Sequence, residues 1–75
     1  MPKNIIGSRL RMARFAQDPV VTQQDLLARL QVKGIVLAES AISKIEKGDR
    51  YVRDFELLAM AEVLHVSVLW LLGKE

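Results

Sequence analysis

Apolar residues recur at helical spacing through five stretches of the chain, and a helix breaker closes each stretch. From about Ile5 to Ala16, Ile6, Leu10 and Ala13 share one face, with Arg9, Arg11 and Arg14 between them. Asn4 is placed to cap the start. Asp18-Pro19 ends the helix, because the residue before proline is pushed out of the helical region. A second helix opens at Thr22, where Thr22-Gln-Gln-Asp25 has the form of a capping box. Leu26, Leu27 and Leu30 make its buried face, and Gly34 is its stop. Gly34-Ile35-Val36-Leu37 has β-branched residues but no partner strand in the chain. It is therefore a loop whose Ile35 or Leu37 plugs the core. A third, short helix runs from Glu39 to Lys47. Ala41, Ile42 and Ile45 lie inward, and Gly48-Asp49 terminates it. The fourth begins near Arg53 or Asp54 and carries Leu57, Leu58, Ala61 and Leu64. The fifth is capped by Ser67 and carries Leu69, Trp70, Leu71 and Leu72 up to Gly73. The pattern predicts an all-α, compact bundle of five short helices.

The chain has 75 residues, enough for one small domain over residues 1–75. A domain of this size buries about 60% of the surface its unfolded chain exposes, which makes one modest core and no deep cleft. With 51% apolar and 27% charged residues the balance is that of a globule, not of a disordered segment. Cysteine is absent and His65 is the single histidine, so disulfide staples, thiolate zinc sites and multi-histidine metal sites are excluded. No apolar run approaches the roughly 20 residues that span a bilayer. The N-terminus lacks the apolar stretch of a signal peptide, and a cytoplasmic setting is expected. Neither a glycine-rich phosphate loop nor a nucleophile elbow is present. The carboxylate pairs Asp54/Glu56 and Glu46/Asp49 sit at helix ends, where dipole compensation or solvation explains them better than acid–base work. An enzyme, a cofactor and a small-molecule substrate are therefore not expected. The net charge of +2 permits an anionic partner without requiring one.

The segment from Thr22 to Gly48 carries the functional signal. Two short helices follow one another, and the second is too short to stand alone and presents polar side chains outward. That is the form of a helix-turn-helix, whose second helix enters the DNA major groove. TQQDLLARL, AISKIEKG and FELLAMAEVLHVSVLWLLG together resemble the Cro and phage-repressor type helix-turn-helix domain, the XRE family. The resemblance covers about residues 5–73 and implies a lambda-repressor-like bundle with the helix-turn-helix at about 22–48. The turn departs from the family pattern. Gln31 stands where a glycine is usual, and Val32–Leu37 is added, so the second helix continues to Gly34. His65 replaces another usual glycine. Histidine tolerates the left-handed conformation better than β-branched residues do, so His65 is expected to close the fourth helix.

The resemblance implies roles residue by residue. Gln23 matches a position that touches phosphate and braces the recognition helix. Glu39, Ser40 and Lys44 match positions that reach base edges, and Ser43 flanks them. Lys47 and the loop at Gly48 match a backbone-contacting segment, with Arg50 beside it. Arg14 and Glu46 match a partly buried ion pair joining the first helix to the third. Ala38 sits where a capping serine or threonine is usual; its loss costs about 1 kcal/mol unless Ser40 compensates. Plainer roles compete. Glu39 repels phosphate and can serve only to offset the helix dipole, rather than accept from a cytosine amino group. Lys47 and Arg50 can be solvated surface, as Arg9 and Arg11 are expected to be. Trp70 is expected in the core or a dimer seam.

These expectations make the chain a sequence-specific regulator binding double-stranded DNA, in the manner of a repressor, working as a homodimer that reads two half-sites. The alternative is an antitoxin-like or adaptor module whose partner is protein. The two separate on the salt dependence of DNA affinity and on where the largest exposed apolar patch lies.

Overall fold

The computed structural model describes residues 1–75. It has five helices and no strand: α1 (Gly7–Ala16), α2 (Gln23–Val32), α3 (Ala41–Glu46), α4 (Asp54–Leu64) and α5 (Val68–Leu71). No helix is long and apolar enough to cross a membrane.

Local sequence explains most of the helix ends. The Asn4 carboxamide oxygen accepts from the amides of Ile6 and Gly7, both at 3.0 Å, which sets the start of α1. Thr22 and Asp25 make the reciprocal capping box at the start of α2, with both bonds at 3.0 Å. The Ser67 hydroxyl accepts from the Trp70 amide at the start of α5. Four helices close in one manner, with an amide-to-carbonyl bond spanning five residues beside one spanning three. Ile35 and Gly34 close α2, Asp49 and Gly48 close α3, Val66 and His65 close α4, and Lys74 and Gly73 close α5. This closure needs a left-handed residue. Gly34 supplies it at φ +86°, and His65 supplies it at φ 58° and ψ 40° without a glycine's freedom.

The α3 helix is shorter than the sequence pattern suggests. Glu39 and Ser40 lie in a turn ahead of it, and the first bond runs from the Ala41 amide to the Ala38 carbonyl. No side chain caps this end, and Ser40 does not compensate for the missing hydroxyl at position 38. The α2–α3 connection, Lys33–Ser40, is roughly twice as long as a three- or four-residue helix-turn-helix turn.

The core joins all five helices. Leu10, Leu26, Leu30, Ile42, Ile45, Met60, Leu64 and Leu71 are fully buried, each worth about 1.5–3 kcal/mol relative to an exposed side chain. Val21, between α1 and α2, is buried with them. Because α4 packs against α1, α2 and α5, its buried arc is broad and takes in Ala59, Met60 and Ala61. Leu58 lies outside that arc and stays half exposed. Leu71 belongs to the core of its own chain, so Leu69 is the exposed apolar residue of α5.

Candidate nucleic-acid interface

Short as it is, α3 is held at its inner side and C-terminal end by four separate attachments. The Arg14 guanidinium of α1 meets the Glu46 carboxylate twice, with Nε to Oε2 at 2.6 Å and Nη2 to Oε1 at 2.8 Å. Both side chains are 6% exposed. The third guanidinium nitrogen, Nη1, donates to the Val21 carbonyl at 2.9 Å, so no buried side-chain donor is left unpaired. From α2, the Gln23 carboxamide donates to Glu46 Oε1 at 3.2 Å. Ahead of α1, the Asn4 carboxamide donates to the carbonyls of Ile45 and Arg50 at 3.1 and 2.8 Å, and the Lys3 amide donates to the Gly48 carbonyl at 2.7 Å.

The fourth attachment is steric. A Cβ placed on Gly7 would lie 2.5 Å from the Ile45 carbonyl oxygen and 2.8 Å from that of Glu46. Glycine alone lets the first turn of α1 approach the last turn of α3 this closely.

The outer side of α3 is unspent. Glu39, Ser40, Lys44 and Lys47 are all exposed, and their side chains make no intramolecular hydrogen bond or ion pair. Ser40 and Lys44 are four residues apart, and so are Ser43 and Lys47, so each pair shares a face. Ser43 is half-buried at the edge of this surface. Gln23, at the start of α2, braces α3 by donating to Glu46.

Arg50 occupies a different situation. Its guanidinium grips Glu56 with Nη1–Oε1 at 3.0 Å and Nη2–Oε2 at 3.2 Å, and also donates to the Tyr51 carbonyl. Its charge is thus compensated within the fold, whereas those of Lys44 and Lys47 are not. Glu56 does serve the helix end, accepting from the Arg53 amide at 3.0 Å, but it is buried and ion-paired rather than solvated. Burial pushes its carboxyl pKa upward, but the Arg50 guanidinium and the Arg53 amide outweigh burial and hold it below the usual glutamate value. Asp25 is also held low, by the Thr22 amide first and the Thr22 hydroxyl second.

Three features are not readable from the apolar pattern. Gly7 carries a weak signal, since glycine in a helical stretch costs about 1 kcal/mol and asks for a packing reason. The second role of Asn4, bonding α3 and its loop, has none. Arg9 is not a solvated side chain: its guanidinium stacks 4.7 Å from the centre of the half-buried Trp70 ring and donates to the main-chain oxygens of Trp70 and Glu75.

A shallow cleft of about 260 Å³ lies between α2 and the α2–α3 connection, bordered by Gln24, Gln31, Val36 and Glu39. No group of three or more His, Asp or Glu side chains is placed to hold a metal ion. The chain matches no protein-family model, no curated protein and no solved structure in the comparisons made with each.

Proposed function

We propose that the chain is a sequence-specific regulator of transcription that binds double-stranded DNA and acts as a repressor in the cytoplasm. In this reading α3 enters the major groove, Glu39, Ser40 and Lys44 meet base edges, and Lys47 meets phosphate with Ser43 beside it. It works as a homodimer without cofactor or catalysis. One observation carries the reading: a six-residue helix is fastened from three directions while its outer side chains are left without partners. The resemblance of the Thr22–Gly48 segment to helix-turn-helix sequences supports the same reading. Arg50 contributes by fixing the loop after α3 through Glu56 rather than by offering a free charge.

The adaptor reading is favoured by a different observation. Phe55 and Leu58 are one turn apart on α4, both half exposed, and line a shallow hollow with Asp54. The two readings separate in one experiment. Duplexes are selected from a random pool, and affinity for the selected and a scrambled duplex is titrated at several salt concentrations. A regulator prefers the selected duplex, and the logarithm of its affinity falls linearly with the logarithm of salt, by about 0.9 per phosphate contacted. Recovery of no preferred duplex sinks the DNA-binding reading.

A further inference from the structure

We propose that Val36, in the α2–α3 connection, is a specificity-determining residue that contacts the 5-methyl group of a thymine. The inference rests on the DNA-binding reading and adds a contact outside α3. Between Gly34 and Glu39 the connection has no regular secondary structure, and burial alternates along it: Ile35 and Leu37 are half-buried, Val36 and Ala38 exposed. Ile35 and Leu37 turn inward and pack against the core, which holds Val36 outward at 77% exposure. An apolar β-branched side chain fixed in that position is a stiff, presented surface rather than a loose loop residue. It borders the cleft of about 260 Å³, which is also lined by the apolar Leu27 and Leu37 and the polar Gln24, Gln31 and Glu39.

The cleft is open and below the roughly 300–1,000 Å³ of small-molecule sites. Its chemistry suits the major-groove edge of an A·T pair, which offers one methyl group beside the adenine N6 donor and N7 acceptor. A glutamine amide supplies the complement to adenine, and Val36 the complement to the methyl. Glu39 makes the cleft continuous with the outer side of α3, so base edges that meet α3 bring their neighbours to Val36.

The test removes the methyl group from one side and the valine from the other. Each thymine of the selected duplex is replaced in turn by uracil, and affinities are measured for the wild-type chain, Val36→Ala and Lys44→Ala. One uracil is expected to weaken wild-type binding about fourfold, the size of one buried methyl group. The same uracil should change Val36→Ala binding hardly at all, while Lys44→Ala keeps the fourfold loss. Val36 is exposed, so its replacement should leave the thermal unfolding midpoint in place. If every uracil weakens the wild-type chain and Val36→Ala equally, Val36 does not contact a methyl group, and the DNA-binding reading stands without it. If no duplex is preferred over scrambled DNA, both fall.

Discussion

Replacing Arg14 by alanine tests the attachment on which the α3 geometry depends. In the native chain the guanidinium makes two bonds to Glu46 and one to the Val21 carbonyl, all with little solvent access. The substitution removes three donors at once. It leaves the Glu46 carboxylate with the Gln23 amide alone, in a site 6% exposed. Breaking a buried pair from one side costs about 3–5 kcal/mol, because a charge remains without its partner. A domain of this length has only about 4–11 kcal/mol in total. Arg14→Ala should therefore lose about 3 kcal/mol, or roughly 3 M in urea midpoint at a slope near 1 kcal/mol/M. Urea unfolding followed by far-ultraviolet circular dichroism measures this directly. The double substitution Arg14→Met, Glu46→Leu should recover part of the loss, since two apolar side chains replace the pair without stranding a charge. An Arg14→Ala chain that unfolds at the wild-type midpoint would refute the pairing. A double variant no better than the single would refute the stranded-charge account of its cost.

Three other predictions are independent of that pair. Gly7→Ala would gain about 1 kcal/mol from helix propensity alone, but the approach to the Ile45 carbonyl should make it destabilising by about 1–3 kcal/mol; a raised unfolding midpoint would show that α1 and α3 do not meet there. Lys44→Ala should cost about 1–3 kcal/mol at one base position and relax preference there, whereas Lys47→Ala should weaken selected and scrambled duplexes alike and lower the salt slope by about one ion. Equal loss on both duplexes for Lys44→Ala would make it a phosphate contact. The Glu56 carboxyl is held below its usual value of 4.5 in the folded chain, so its stabilisation is complete above that pH and is lost as the pH falls through the folded value. Glu56→Gln should be less stable at neutral pH and should lose less stability between pH 6 and about pH 3; parallel pH profiles for the two chains would contradict the ion pair with Arg50.

The sequence was most legible where structure is decided within a few residues. The Thr22/Asp25 capping box, the Gly34 and Gly48 stops, the Ser67 cap and the left-handed His65 all depend on near neighbours, and each is where the pattern places it. Burial on α4 was less legible, because it depends on which helices flank α4 on each side. Spacing alone admits Leu58 to the core as readily as Met60, and the packing of α1, α2 and α5 decides against it. The start of α3 is not legible from the polar pattern, because Ala38 offers only its carbonyl and the helix begins later than that pattern implies. At the candidate site, no spacing relates Arg14 to Glu46, and only the family resemblance implies their pairing. Arg50 and Glu56 lie on either side of a helix start, where neither the helical nor the strand period relates them. The contact of Gly7 with α3 joins segments far apart in the chain, and only the folded chain reveals it.

The hydrogen bonds of Asn4 to Ile45 and Arg50 span 41 and 46 residues, and the Arg14–Glu46 bond spans 32. Large loops must close before these bonds can form, and nothing local makes a six-residue helix persist until then. During folding α3 therefore matures with the docking of α1, not ahead of it. In the folded chain the bonds of Arg14, Asn4 and Lys3 tie the last turn of α3 to α1 and the segment ahead of it, so opening that turn must break those bonds as well. In the proposed reading, a duplex meeting the outer side of α3 finds its backbone already ordered. The backbone there has little order left to gain on association, whereas the unpaired side chains of Lys44 and Lys47 still have rotamer freedom to lose.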